Sequence, residues 1–280
     1  MPELPEVETI RRDLQELLPG KVIEEARLLF PGLVKYPSPE DFAAGCRGRA
    51  VREVGRRGKY LFLHLTGDVS LIVHLRMTGR LLYQPQGMPP EKHTRGVFVF
   101  VGGDELHFHD VRKFGTMWLA GPPYSQVGGL TALGPEPLTG EFTAASLFAF
   151  LRKTKSPVKS FLLSQKAAAG LGNIYADEAL YLAGIRPDRR ADSLNLKEAE
   201  KLWQAIRQVL NQGIEARGTS RRDYLDAGGR AGSYQDCLKV YGRRGEPCSR
   251  CSCAIERIII TGRSTHFCPA CQPPPSKRRP

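Results

Sequence analysis

The 280-residue sequence lacks any apolar run near the roughly 18 residues that a membrane span needs. It also lacks an apolar signal core, because its first thirteen residues already hold Glu3, Glu6, Glu8, Arg11, Arg12 and Asp13. Both absences point to the cytoplasm and away from a membrane. There is no internal repeat. With 41% hydrophobic and 25% charged residues, disorder and a collagen-like chain are poor fits, and the length suits about two domains. Acid is in short supply: 41 Lys and Arg face 29 Asp and Glu, a formal charge of +12. Residues 47–59 carry six basic side chains against Glu53, and residues 217–263 carry ten against five acids. Fields of this kind attract a polyanion. A membrane surface is the weaker candidate, since no strongly basic amphipathic helix is present.

Seven cysteines, an odd number without a secretion signal, argue against a disulfide framework and for metal. Cys248-x-x-Cys251 and Cys268-x-x-Cys271, with sixteen residues between the pairs, have the spacing of a four-thiolate zinc site. Such a site is structural, because four thiolates leave zinc no open position. One Zn²⁺ is the expected cofactor. Cys253 is a fifth nearby sulfur, but its spacing from Cys251 is wrong for the knuckle. Ile255–Thr261 and Ser264–Phe267 can form a hairpin about Gly262, displaying Arg257 and Arg263, with His266 on its surface.

Val7, Ile10, Leu14, Leu17 and Leu18 share one helical face after Pro5, and the helix fades at Pro19-Gly20. The next hundred residues read mostly as strands, with hairpins at Thr66-Gly67-Asp68 and Gly102-Gly103-Asp104. Four prolines and five glycines in residues 121–140 mark a hinge. Helices are predicted at Phe142–Leu151, Val158–Gln165, Ile174–Leu182 and Leu196–Ile214, followed by a long exposed loop, Arg217–Tyr234. The tail from Pro273 to Pro280 is basic, proline-rich and expected to be disordered. Gly170 and Gly172 hint at a dinucleotide fingerprint, but no third glycine and no preceding strand support it.

Several blocks taken together carry a family resemblance. The opening Pro2-Glu3-Leu4-Pro5-Glu6-Val7-Glu8-Thr9 is similar to the start of bacterial formamidopyrimidine-DNA glycosylases, the 8-oxoguanine base-excision enzymes. The resemblance continues in order through Arg57-Gly58-Lys59-Tyr60, His74-Leu75-Arg76-Met77-Thr78-Gly79, Asp110-Val111-Arg112-Lys113-Phe114-Gly115, Gly170 to Glu178 and the cysteine hairpin. It implies an α+β architecture: a β-sandwich-like catalytic domain with an N-terminal helix (2–120), a hinge (121–140), a helical domain with a helix–two-turn–helix and a lesion-capping loop (141–234), and a zinc-ribbon-like hairpin finger (235–272).

The resemblance also implies roles. Pro2, freed by removal of Met1, would attack the sugar C1′, with Glu3 beside it as proton donor and acceptor. Lys59 would donate a proton during β-elimination, and Arg263 would grip the phosphates flanking the lesion. Met77, Arg112 and Phe114 would fill the gap left by the extruded nucleotide; alone, Met77 and Phe114 would read as core. His93, Lys155, Lys159 and Asn173 would contact DNA, and Glu178 would brace the site. The implied partner is damaged duplex DNA, bound by a monomer. Departures from the family pattern are Ser252 where glycine is common, the extra Cys253, and Ser156-Pro157 ahead of Val158. An endonuclease VIII-like enzyme for oxidised pyrimidines and a non-catalytic zinc-containing DNA-binding protein are the alternatives. Pro2, Glu3 and Lys59 together speak against a pure binder.

Overall fold

The computed structural model describes residues 1–220 and 224–274. The chain divides into two compact units, Met1–Thr131 with Gly213–Gln235, and Ala132–Gln212 with Asp236–Pro280.

In the first unit, helix α1 (Leu4–Leu17) starts from Glu3, with Pro5 in its first turn, and buries Leu4, Val7, Ile10 and Leu14. Strands follow in order: β1 (Ile23–Leu28), β2 (Val34–Tyr36), then, after helix α2 (Pro39–Cys46), β3 (Val51–Arg57), β4 (Tyr60–Leu65), β5 (Val69–His74), β6 (Arg80–Gln84), β7 (Thr94–Phe100), β8 (Glu105–His109) and β9 (Thr116–Ala120). They form two sheets, β1-β7-β8-β6 and β2-β9-β5-β4-β3, antiparallel except for β2 beside β9. Alternate residues Leu61, Leu63 and Leu65 of one sheet share a core with Phe98, Phe100, Leu106 and Phe108 of the other and with α1. Each such side chain contributes about 1.5–3 kcal/mol by leaving water. The sandwich-like expectation matches, and so do both hairpins. One correction concerns helix content. A single helix is expected in this half, yet α2 is present, capped by Ser38, whose Oγ accepts from Asp41 N at 3.1 Å.

A second correction concerns residues 217–234, expected as a long exposed loop of the helical domain. Gly213–Gln235 belongs to the first unit, and its described part is anchored there. The Arg217 guanidinium donates to both oxygens of Asp13 at 2.7 Å, and Tyr83 N donates to Ala227 O at 3.0 Å. The middle of this loop, 221–223, lies outside the described residues, as does most of the tail expected to be disordered.

The second unit holds helices α3 (Ala144–Leu151), α4 (Val158–Leu163), α5 (Asn173–Ala183) and all but the last three residues of α6 (Leu196–Glu215). Thr143 caps α3, and Gly184, at φ 72, ends α5 in the left-handed conformation. Strands β10 (Glu256–Ile260) and β11 (Arg263–Phe267) form the expected hairpin, in the same compact unit as the helices.

Candidate active site and metal centre

In the first unit, Met1 is exposed while Pro2 and Glu3 are buried, Glu3 to 2% exposure. Glu3 N–H donates to Glu6 Oε2 at 2.8 Å, and Glu6 Oε1 accepts from Thr219 N at 2.8 Å. Glu6 therefore ties the start of α1 to the loop beyond residue 216, a role the sequence reading missed although glutamates three apart at a helix start have capping-box spacing. Gly218, at φ 85, leaves room for it: a Cβ there would lie 2.8 Å from Glu6 Cγ. Lys59 sits in the two-residue turn between β3 and β4 and is 8% exposed. A solvated strand lysine would not be so enclosed. Next to this turn, His74 closes β5, and its Nδ1 accepts from Arg76 N at 3.0 Å. Burial, with the charges of Arg76 and Lys59 adding to it, pushes His74 down to about 3, so the ring is neutral.

Two turns carry Met77, Arg112 and Phe114, the residues expected to fill the gap. Met77 and Phe114 are 39% and 49% exposed, which rules out core packing for either. Arg112 Nη1 reaches Met77 Sδ at 3.0 Å, and its guanidinium lies 4.7 Å from the Phe114 ring centroid, so the three form one projecting group. Asp110, 1% exposed, holds both turns: its carboxylate accepts from Thr78 Oγ1, Arg112 N and Gly115 N. Gly115 is required, because a Cβ would lie 2.4 Å from Phe108 Cζ. Asp110 and Thr78, whose supporting role is not evident from the sequence blocks that contain them, hold this group in place. His93 is half-buried, its Nδ1 accepting from Arg95 Nη2 at 3.2 Å, and Arg95 Nε donates to Asp110 O.

In the second unit, the four cysteine sulfurs lie within 4.8 Å of one another, with separations of 3.4, 3.5 and 3.8 Å among three pairs. Sulfurs about 2.3 Å from a tetrahedral zinc would stand about 3.8 Å apart, so the set fits one zinc ion. Cys253 is exposed and outside the cluster. Ser252 has φ 62, which explains why glycine suits this position: the knuckle needs left-handed backbone there. Tyr181 OH lies 3.2 Å from Cys248 Sγ.

Arg263 is exposed at the start of β11, whereas Arg257 is turned onto Ser264 Oγ at 2.8 and 3.1 Å. Lys155 is exposed, and Asn173 Nδ2 donates to Ser264 O at 3.1 Å. Glu178 accepts from the backbone N–H groups of Lys239, Val240 and Tyr241, bracing that segment. Lys159 requires a correction. Expected as a DNA contact, it is fully buried, its ammonium 2.6 Å from Asp177 and donating to Ser264 O and Thr265 Oγ1 at 2.9 Å. His266, expected on the surface, is also buried, and its N–H donates to Asp177 Oδ2 at 2.9 Å. An aspartate inside the hydrophobic helix α5 needs these partners, and they draw β11 onto it.

Family models match almost throughout: the formamidopyrimidine-DNA glycosylase N-terminal domain over residues 1–117, its H2TH domain over 133–224, and the zinc finger found in FPG and IleRS over 245–274. The formamidopyrimidine-DNA glycosylase of Desulfitobacterium hafniense is 50% identical over 273 residues, covering 97% of this chain and 100% of the relative. The chain belongs to the formamidopyrimidine-DNA glycosylase family. Solved members of that family have the same fold. The MutM (FPG) protein of Thermus thermophilus is 41% identical with a TM-score of 0.88, covering 97% of this chain and 98% of that one. A Lactococcus lactis FPG mutant in complex with Fapy-dG-containing DNA is 38% identical with a TM-score of 0.92, covering 98% and 100%. The matching zinc-finger model and the four clustered cysteines together give the chain one structural zinc ion, which Cys248, Cys251, Cys268 and Cys271 would hold. Among the described residues no helix is long and apolar enough to cross a membrane.

Proposed function

We propose that the chain removes oxidised purines, 8-oxoguanine and formamidopyrimidines, from duplex DNA and then cleaves the strand at the vacated sugar. The observation that carries this reading is the burial of Glu3 and Lys59, at 2% and 8% exposure, in the unit whose first helix begins beside Pro2. Burying a carboxylate and an ammonium costs desolvation, and proton transfer at the sugar is the task that these two groups would serve.

The steps follow from the groups present. An exposed Met1 is accessible for removal, and its loss leaves the Pro2 secondary amine in a protected position. With an ordinary α-amino pKa of about 7.7–8, that amine is partly neutral near pH 7 and can attack C1′. The base leaves with the proton that the attacking amine gives up, Glu3 protonates the sugar oxygen as the ring opens, and the amine becomes an iminium ion. That cation acidifies the C2′–H. Glu3, ionised once it has protonated the sugar, takes the C2′ proton, and the electron pair expels the 3′ phosphate, to which Lys59 supplies a proton in this β-elimination; a second elimination, assisted by Arg263, loses the C4′ proton to the same carboxylate or to water and expels the 5′ phosphate. The Met77, Arg112 and Phe114 group enters the duplex, the guanidinium bonding the orphaned base. His93, Lys155 and Asn173 contact the backbone near the lesion. The zinc fixes the hairpin that carries Arg263 and takes no part in bond making. The enzyme acts as a monomer in the bacterial cytosol, where its DNA lies.

Excision from duplexes carrying 8-oxoguanine or thymine glycol tests the substrate class. Faster release of 8-oxoguanine supports the purine reading. Preference for thymine glycol would replace it with an endonuclease VIII-like one.

A further inference from the structure

Glu8 lies on α1, five residues beyond Glu3, and is nearly buried. Its carboxylate accepts from Arg11 at 2.9 and 3.1 Å, from Arg12 Nε at 2.9 Å and from Arg56 Nε at 3.0 Å. Burial acts to raise the Glu8 pKa, but the three guanidiniums outweigh it and hold the carboxyl below the usual range. Arg11 and Arg12 are neighbours on the same helix and would satisfy a carboxylate by themselves. Arg56 is different. It lies 48 residues away on β3, its side chain is 10% exposed, and its Nη1 donates to Gly58 O at 3.0 Å. Gly58, at φ 56, is the residue before Lys59, and Arg57 pairs with Tyr60 to close the turn. One guanidinium therefore grips the helix that carries Pro2 and Glu3 with one branch, and the carbonyl before Lys59 with another.

We propose that Glu8 and Arg56 are positioning residues for the strand-cleaving step: through the Gly58 carbonyl they hold the Lys59 turn in register with the start of α1. The inference rests on the roles given above to Pro2 and Lys59. Arginine is required because its planar fork meets two acceptors at once, whereas a lysine ammonium at this position reaches one or the other. Placement matters because a misplacement of about 1 Å in a catalytic group can lower a rate by roughly a hundredfold.

The test uses the full zinc-loaded chain with Met1 removed and a duplex carrying a preformed abasic site. Single-turnover strand cleavage is measured for wild type, Arg56→Lys, Glu8→Gln, Lys59→Met and the double variant Arg56→Lys/Lys59→Met. Arg56→Lys keeps the charge, so half-saturation by DNA stays at the wild-type concentration while the maximal rate falls by about ten- to a hundredfold. Glu8→Gln, which keeps one acceptor oxygen, falls less. In the Lys59→Met background, Arg56→Lys costs nothing further, because its effect passes through Lys59. A merely structural role would lower the rate additively in that background, or would raise half-saturation instead, and either result overturns the proposal. Wild-type cleavage by Arg56→Lys beside an impaired Lys59→Met overturns it alone. Wild-type cleavage by Lys59→Met overturns the Lys59 assignment and the proposal with it.

Discussion

Replacing Lys159 separates the two roles a lysine at that position could have. Its side chain is fully buried and its ammonium stands 2.6 Å from Asp177, itself 1% exposed. Lys159→Met keeps the length of the side chain but leaves the Asp177 carboxylate uncompensated and strips Ser264 O and Thr265 Oγ1 of a donor. Breaking a buried pair from one side costs about 3–5 kcal/mol. At a urea slope of about 2 kcal/mol per molar, the unfolding midpoint of the second unit should drop by roughly 2 M. Adding Asp177→Asn removes the stranded charge and should restore part of the loss, a coupling that a double-mutant cycle reads directly. DNA binding should respond differently. A phosphate contact contributes about 0.9 to the slope of log affinity against log salt. Lys159→Met should leave that slope unchanged at temperatures where it is folded, whereas the exposed Lys155→Met should reduce it by about one contact. A Lys159→Met protein with an undiminished urea midpoint and a shallower salt slope would refute the assignment of Lys159 to a buried pair.

Three further outcomes follow from the same geometry. Phe114→Ala removes an exposed ring, so stability should change by no more than about 0.5 kcal/mol, while base excision from duplex DNA falls by an order of magnitude; a loss of about 3–5 kcal/mol in urea would instead mean core packing. Tyr181→Phe deletes a hydroxyl 3.2 Å from Cys248 Sγ, placed to donate to the thiolate that zinc binding would create. Zinc affinity, read by competition with a chromophoric chelator, should fall about tenfold or more, and unchanged affinity would mean that the contact carries no weight. His74 is neutral in the fold with its pKa pushed down to about 3, by burial first and then by Arg76 and Lys59. Its contribution to stability is complete above its unfolded pKa of about 6.5 and drains away as pH falls toward 3. Relative to His74→Asn, the wild type should therefore lose about 1.4 kcal/mol per pH unit in that window; urea titrations at pH 7.5 and 5.5 read the difference, and parallel losses in both proteins would contradict it.

What could be read in advance was the local chemistry. The zinc ligands are two short knuckles, and their spacing alone specifies them. Helices α1, α3, α5 and α6 were legible from apolar spacing, with ends marked by Pro5, Thr143 and Gly184. Helix α2 was legible too, in Ser38-Pro39-Glu40-Asp41, but its apolar face of Phe42 and Cys46 is too short to stand out among strands. The loop after Arg217 looked exposed because glycine, arginine and aspartate dominate it. Its anchors, Glu6, Asp13 and Tyr83, lie far away in sequence, and only the folded chain brings them to it. Lys159 failed for the same reason: its partner is on another helix, and a lone lysine gives no sign of a buried acid opposite it. Met77 and Phe114 read equally as core residues by type, and their exposure excludes the core.

The central claim is that the Pro2 amine forms a covalent bond with the damaged sugar. Borohydride trapping tests it most directly. Met1-free protein is incubated with a duplex containing one 8-oxoguanine opposite cytosine, the imine is reduced, and the product is sized and digested to locate the linked residue. A stable adduct mapping to Pro2, and absent when Met1 is retained, is the predicted result. Tight binding without an adduct, or an adduct on Lys59 in its place, would contradict it.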